Sequence, residues 1–401
     1  MNNRLAIVVQ RCGEGIVGGS EALAWQWAVA LSGAFEVDVL TTTATDAVSW
    51  ANELPEGAET REGVIVRRFK VDIGRTPYWH GLHQRLLSSA QTDTSAILDG
   101  RRWTMAWQEE FIRKQGPYSA GLMAYLRAEG KQYRVVIFVT YLFPTTYFGL
   151  QQARGVPCLL VPTVHDEAPA YLPAYRQMAT SANLVLWNTA AEERWGQRLW
   201  GAVPGLVVGM AVETELSGES RVIRSPYILY SGRIDEHKGC DELLGYYNRF
   251  QQQHPRVAKL VLTGHDESRH RFGDSVEYLG YVTEEEKLSL MHGATLFCMP
   301  SPHESFSISS LEAMAQSTPL LATAKSDVLK DHVEMSGGGM LYADYDEFER
   351  SVLRAVREPS FRSELGVRAR NYVVDNYSHS VIKAKLLEAV ESVVRSTGSQ
   401  R

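Results

Sequence analysis

Three clusters of polar residues in this sequence have types and spacings suited to holding an anion. The first is Tyr230-Ser231-Gly232-Arg233-Ile234-Asp235-Glu236-His237-Lys238-Gly239, directly after the apolar run Ile228 to Tyr230. Two cations beside the start of a helix oppose its dipole, which favours acids at that end. An anionic ligand removes the conflict, because guanidinium and ammonium both bind phosphate oxygens. A solvated basic loop is the plainer alternative. The second cluster, Pro300 to Ala315, follows the run Leu296 to Met299 and is predicted to open a helix near Ser305. Glu304 stands at that helix entrance, as a cap or as a ligand contact. Glu312 lies among Leu311, Ala313, Met314 and Ala315, where a carboxylate is costly unless hydrogen-bonded. Sugar hydroxyls are suitable donors to it, and an exposed helix position is the competing reading. The stretch Ser305-Phe306-Ser307-Ile308 is expected to present first-turn N–H groups to an anion. The third cluster is the glycine loop Gly13 to Gly19, leading into a helix at about Glu21. Gly13, Gly15 and Gly18 match G-x-G-x-x-G, which marks either a phosphate approach surface or a simple turn. The acid that this pattern places about 20 residues on is ambiguous between Asp38, inside a strand, and Asp46.

Other groups are less informative. Asp344-Tyr345-Asp346 matches D-x-D, a pair that metal-dependent transferases use, but its place before a helix at Glu347 to Val356 reads as a helix start. His165-Asp166-Glu167 invites a triad, yet no serine-nucleophile motif accompanies it, and His165 alone is balanced between packing and function. Cys12, Cys158, Cys240 and Cys298 form no C-x-x-C pair, which fits a reducing compartment and offers no zinc site.

These residues need a scaffold, and the chain supplies an α/β one. Its 401 residues are 44% hydrophobic and 22% charged, an ordinary globular balance. Forty-one basic against 47 acidic residues give a net charge of −6, which argues against a general nucleic-acid binder. Short β-branched runs alternate with helical patterns: Leu5 to Val9, Val37 to Leu40, Val64 to Val66, Val135 to Val139, Cys158 to Val161, Leu184 to Trp187 and Leu206 to Val208, then Ile228 to Tyr230, Leu260 to Leu262, Val276 to Leu279, Leu296 to Met299 and Leu320 to Ala322. Such runs suit parallel strands buried on both faces. The polar segment 213–225 reads as a linker between two doubly wound domains, 1–212 and 226–380. A last helix in 381–401 carries Leu386, Val390 and Val393 on one stripe and must pack somewhere, back on the first domain in one arrangement. Open α/β sheets bind ligands at the carboxyl ends of their strands, so the motifs are expected to converge on a central cleft.

Arg233-x4-Lys238-Gly239 together with Glu304-x7-Glu312 resembles the signature pair of retaining GT-B glycosyltransferases of the family-4 type, the glycosyl transferases group 1. The similarity continues through Val261-Leu262-Thr263-Gly264, Tyr278-Leu279-Gly280-Tyr281-Val282 and Ala322-Thr323, covering nearly all of the second half. In the first half it is looser, carried by Gly18-Gly19-Ser20-Glu21, His165-Asp166 and Val207 to Glu213. The resemblance implies two Rossmann-like domains. It implies that Arg233 and Lys238 bind the donor diphosphate, that Glu304 contacts the donor sugar and that Glu312 holds the ribose. Amides of Ser305 to Ile308 help bind phosphate and sugar, Val282 lies near the base, and His165 approaches the reacting sugar. The glycines Gly18, Gly19, Gly232 and Gly264 complete the implied donor site. Ser307 and Ser309 depart from the glycine and aliphatic residue common in that turn.

The expected activity is retaining, metal-independent transfer of a hexose from a nucleotide sugar, a uridine diphosphate sugar such as UDP-glucose before GDP-mannose. The acceptor is expected to be a saccharide or lipid-linked saccharide, in polysaccharide or glycoconjugate biosynthesis. Arg233, Lys238 and helix dipoles would stabilise the leaving phosphate in place of a metal. The segment Lys70 to Lys131, with Tyr78, Trp79, His80, His83, Trp103, Trp107, Tyr118 and Tyr125 among Arg75, Arg85, Arg101 and Arg102, is the expected acceptor region. Its aromatics stack on sugars, touch a membrane interface or simply pack helices. Trp103, Trp107 and Tyr118 are the named acceptor candidates. The expected setting is cytoplasmic, with at most peripheral membrane contact at the inner face and no nucleic-acid partner. A nucleotide-sugar epimerase of the same architecture and a non-catalytic nucleotide-sugar binding protein are the alternatives.

Overall fold

The computed structural model describes residues 3–16, 18–92, 97, 103–217, 223 and 225–398. Val17, Arg101, Arg102 and residues 218–222 and 224 of the expected linker lie outside the described residues. The chain forms two compact units, one of Met1–Met210 with Lys383–Arg401, the other of Ala211–Ile382.

The first unit is built on an eight-stranded sheet. Its strands are β1 (Arg4–Val8), β2 (Glu36–Thr42), β3 (Gly57–Arg61), β4 (Val64–Phe69), β5 (Val135–Val139), β6 (Cys158–Val161), β7 (Leu184–Trp187) and β8 (Gly205–Val207). Their spatial order is β3-β4-β2-β1-β5-β6-β7-β8. All neighbours run parallel except β3, which pairs antiparallel with β4. β5 and β6 are buried along their whole length, as strands covered by helices on both faces must be. β3 has no apolar run to announce it, because Gly57–Arg61 is a largely exposed edge. It is created by the turn at Glu62 and Gly63, both at positive φ, which is the geometry of a two-residue hairpin.

The second unit carries β9 (Tyr227–Ser231), β10 (Lys259–Thr263), β11 (Val276–Tyr278), β12 (Leu296–Met299), β13 (Leu320–Thr323) and β14 (Gly339–Tyr342). Their order is β11-β10-β9-β12-β13-β14, all parallel. In each sheet one strand has neighbours that continue in opposite directions along the chain. These are β1, between β2 and β5, and β9, between β10 and β12. Loops leaving the carboxyl ends on either side of such a reversal splay apart and leave room for a ligand.

One helix boundary differs from expectation. The helix after β12 spans Ile308–Ala315 rather than starting near Ser305, because Ser307 adopts a left-handed backbone, φ 63° and ψ 61°, that a helix cannot contain. Ser305, Phe306 and Ser307 therefore belong to the preceding loop. The last helix spans His379–Gly398, with Leu386, Val390 and Val393 buried. From Lys383 onward it belongs to the first unit.

The two acids considered as nucleotide contacts have internal tasks. Asp38 is fully buried in β2 and pairs with Arg4 at 2.8 Å and Arg67 at 2.9 Å. Asp46 accepts bonds from the Val48 and Ser49 amides and the Ser49 hydroxyl; against the effect of partial burial, these bring its carboxyl down to about 2. Removing a buried carboxylate strands its cations, so Asp38→Ala should lower unfolding free energy by about 3 kcal/mol. A urea titration of the variant against the parent measures it.

Candidate active site

The loop leaving β9 places two cations. Gly232 opens it, and Asp235 accepts the Lys238 amide at 2.8 Å, closing a short 3-10 turn at Glu236–Lys238. Arg233 projects outward with its side chain 55% exposed, loosely paired with Asp235 at 3.3 Å and Glu267 at 3.9 Å. Gly239 ends the turn at φ +72°, and a Cβ there would come within 2.4 Å of the Pro300 carbonyl oxygen. That contact joins the β9 loop to the β12 loop. Beyond Gly239 the chain enters the helix Cys240–Gln253, with Asp241 and Glu242 in its first turn.

The β12 loop brings the carboxylate. Glu304 Oε1 lies 2.8 Å from Lys238 Nζ, a contact between loops on opposite sides of the strand-order reversal. Its side chain is only 10% exposed, so this ion pair is worth more than a surface one. Arg233, Lys238 and Glu304 are thus brought together by the fold. Ser305 is half-buried beside them, and Phe306 is buried. Ser307 bonds its hydroxyl to that of Ser310 at 2.9 Å. Its left-handed backbone explains why glycine suits this position: serine tolerates the conformation at a cost of about 1 kcal/mol. Ile308 begins the helix.

A brace under this loop has no sequence signature. His332, buried in the helix Asp327–Ser336, lies 2.9 Å through Nε2 from the Phe306 carbonyl and 3.1 Å through Nδ1 from the Tyr372 hydroxyl. A carbonyl only accepts, so Nε2 carries the proton and Nδ1 accepts from Tyr372. Burial lowers the imidazole pKa, which keeps the ring in this neutral form.

Glu312 sits in the helix Ile308–Ala315 as a nearly buried carboxylate, and its partner is Lys287 at 2.9 Å, from the helix Glu284–Gly293. Burial pushes the Glu312 carboxyl up, and the Lys287 ammonium opposes the shift. The expected hydrogen-bonding need was real, but the chain itself supplies a donor. Gly264 ends β10 at φ +116°, where a Cβ would lie 2.0 Å from the Gly232 carbonyl oxygen. Val282 is half-buried after β11, beside Tyr281, which is 81% exposed and stacks on His265.

In the first unit, His165 is 40% exposed and lies 3.9 Å from Glu167, whose other oxygen accepts from Tyr141. The His165 loop is held by Glu192, a fully buried carboxylate unannounced in the sequence. Glu192 accepts the Val164 amide and the Asn188 amide, each at 2.6 Å, tying the loops after β6 and β7 together. Gly18 and Gly19 open the helix Gly19–Ser32. There Glu21 lies against Gly18 and bonds Arg11 and Ser20, so an internal carboxylate already occupies that helix start. Trp103 is buried beside Phe111 and has no free face for a ligand. Trp107 is 40% exposed with the Arg85 guanidinium 5.6 Å from its ring centre. Tyr118 is half-buried against Phe148. Asp344 caps the helix Tyr345–Arg357, accepting the Glu347 amide at 2.9 Å. A cavity of about 560 Å³ lies elsewhere in the first unit, lined partly by the segments before β6 and β7, away from the carboxyl strand ends.

Residues 214–372, the stretch that carries these loops, match the family described as glycosyl transferases group 1. The match lies within the second unit. The chain is 30% identical over 184 residues to the phosphatidyl-myo-inositol mannosyltransferase of Mycobacterium tuberculosis, a match covering 42% of this chain and 48% of that one. The chain thus spans about half the length of the curated relatives it matches. Among solved structures it resembles a sucrose-phosphate synthase from Thermosynechococcus elongatus, with TM-score 0.71, 18% identity and coverage of 98% of this chain and 99% of that one. It also resembles Anabaena HepE in complex with UDP-glucose, with TM-score 0.68, 15% identity and coverage of 97% and 99%. The two sheets are those of the GT-B fold.

Burial pushes the Glu192 carboxyl up to about 8 against its backbone donors. The folded protein then holds a proton that an unfolded glutamate releases at about 4.3. Stability from this group is complete below that value and falls as pH rises towards 8. The parent's thermal midpoint should therefore decline between pH 5 and 8 more steeply than that of Glu192→Gln, as scanning calorimetry would record.

Proposed function

We propose that this protein is a retaining glycosyltransferase that moves a hexose from a nucleoside diphosphate sugar to a saccharide or lipid-linked acceptor. The observation that carries this is the Lys238–Glu304 contact at 2.8 Å, with exposed Arg233 on the same loop as Lys238. Transfer from a nucleoside diphosphate requires charge stabilisation on the departing phosphate. Arg233 and Lys238 supply fixed positive charge for it, and Glu304 orients the donor sugar through its hydroxyls. Glu312, steadied by Lys287, is assigned to the ribose. The loop amides of Ser305 to Ser307, with Ile308, are assigned to phosphate and sugar, and Val282 to the base. Gly232 and Gly264 are assigned as close backbone approaches to the donor, whereas Gly18 lies against Glu21 and is not. His165 is assigned to the reacting sugar, in a loop that Glu192 holds in place.

No metal is assigned to the reaction. The only carboxylate pair of D-x-D type begins with Asp344, which is already engaged as a helix cap. Activity should persist in EDTA, and its loss with recovery on adding manganese would overturn this point.

A uridine diphosphate sugar, UDP-glucose first, is favoured as donor, supported by the HepE complex. A mannose donor such as GDP-mannose is the second reading, supported by the mannosyltransferase relatives. A lipid-linked acceptor, used with peripheral membrane contact, draws support from the same relatives. Among the described residues no helix is long and apolar enough to cross a membrane. Trp107 and Tyr118 remain as acceptor contacts, whereas Trp103 acts through packing.

Thermal-shift measurements with UDP, GDP, ADP and their sugars should give one large stabilisation, which names the base. Arg233→Ala, Lys238→Ala and Glu304→Ala should each lower kcat/KM by roughly 100-fold or more. Near-parental turnover in all three would refute the mechanism. Turnover of donor without acceptor would point to an epimerase instead. Trp107→Ala should raise acceptor KM, while Trp103→Ala should chiefly cost stability, about 3–5 kcal/mol.

A further inference from the structure

The β9 loop that carries Arg233 is stitched to the segment following β10 by two backbone bonds. The Ile234 amide donates to His265 O at 2.8 Å, and the Glu267 amide donates to Ile234 O at 3.1 Å. The same segment is anchored at a second point by one side chain. His270 Nδ1 lies 2.7 Å from Asp266 Oδ1, and its Nε2 lies 2.7 Å from Asp241 Oδ1. Asp266 Oδ2 also accepts the His270 amide at 2.6 Å. Asp241 stands three positions after Lys238, in the first turn of the helix Cys240–Gln253.

These contacts close a ring: the Arg233 turn, the Lys238 turn, the helix start at Asp241, His270, Asp266 and back to Ile234. We propose that His270 is a positioning residue of the donor-phosphate loops, holding the spacing between Arg233 and Lys238 by bridging Asp241 and Asp266. This inference rests on the donor reading of those two cations. His270 touches neither the donor nor the reacting atoms in that reading and acts through the loop it fixes.

The bridge is complete only when the imidazole is charged. A neutral ring has one N–H, so it serves one carboxylate and turns a lone pair towards the other. The groups facing the ring are Asp241, from the helix, and Asp266, from its own loop, with the Phe272 ring stacked 5.8 Å away. Burial works against the charge, but the two carboxylates outweigh it and raise the pKa above the ordinary histidine value. Below its raised pKa both arms are made. Above it one arm is lost, and the ring of contacts opens. Donor binding should then weaken as pH rises through the titration of His270.

The test measures dissociation constants of UDP-glucose and GDP-mannose between pH 5.5 and 8, where neither the diphosphate diester nor the base titrates, unlike the terminal phosphate of free UDP. His237 and His265 lie in the same loops, so each variant is compared with the parent across the whole profile. The parent should bind roughly five- to tenfold more weakly at the upper end. His270→Gln, with a single donor arm, should be weak at every pH. His270→Lys, charged throughout, should bind tightly and flatten the profile. Histidine NMR should show His270 titrating above the ordinary value. A His270→Gln profile matching the parent, while Arg233→Ala abolishes binding, would overturn this inference and leave the donor site standing. If the parent binds no uridine, guanosine or adenosine diphosphate sugar, the donor reading and this inference both fall.

Discussion

The constraint on which the second unit's loop surface depends is a backbone contact. Gly239 lies against the Pro300 carbonyl so tightly that no side chain fits between them. Because β9 separates β10 from β12, the loops leaving β9 and β12 would otherwise diverge. That single approach makes them one surface. Lys238 precedes the contact by one residue and Glu304 follows Pro300 within the same loop, so their ion pair is a consequence of the contact rather than its cause. Gly264 repeats the device one strand over, lying against the Gly232 carbonyl. Main-chain atoms set the geometry, and long flexible side chains are left to meet a ligand.

Charge in the site is arranged as exchangeable pairs. Arg233 rests loosely between Asp235 and Glu267, and Lys238 rests on Glu304. A chain of net charge −6 would otherwise have little reason to keep two cations at a helix entrance. The acids hold these cations oriented without a ligand. A diphosphate arriving there exchanges partners with groups already in position, which lowers the ordering cost of binding.

The sequence made the buried strands legible because burial on both faces demands uninterrupted apolar runs, as in β5, β6, β9 and β12. It hid β3, whose exposed edge needs no such run, and β14, where glycine opens a short edge strand. Motif residues were legible where the chemistry is local: Arg233, Lys238 and Glu304 lie within two short segments, and Asp344 stands where a helix cap is expected and serves as one. What stayed hidden was partnership. Glu312 advertised a buried carboxylate in need of a donor, yet nothing near it in the chain pointed to Lys287. His332 and Glu192 look like ordinary helix residues until the fold brings the Phe306 carbonyl and the Val164 amide to them. Trp103 could not be told from a surface aromatic, because it stands between Arg101-Arg102 and Thr104 with no clean period around it.

The last helix gives the chain an order of assembly. Leu386, Val390 and Val393 are buried, and the segment that holds them belongs to the unit whose first strand begins at Arg4. On the ribosome the second unit can close as soon as Ile382 emerges, with every one of its strands already made. The first unit, begun earlier, must wait with an apolar face uncovered until the segment carrying Val393 has been translated. The half synthesised first is therefore the half finished last, and it is the one most in need of protection during synthesis.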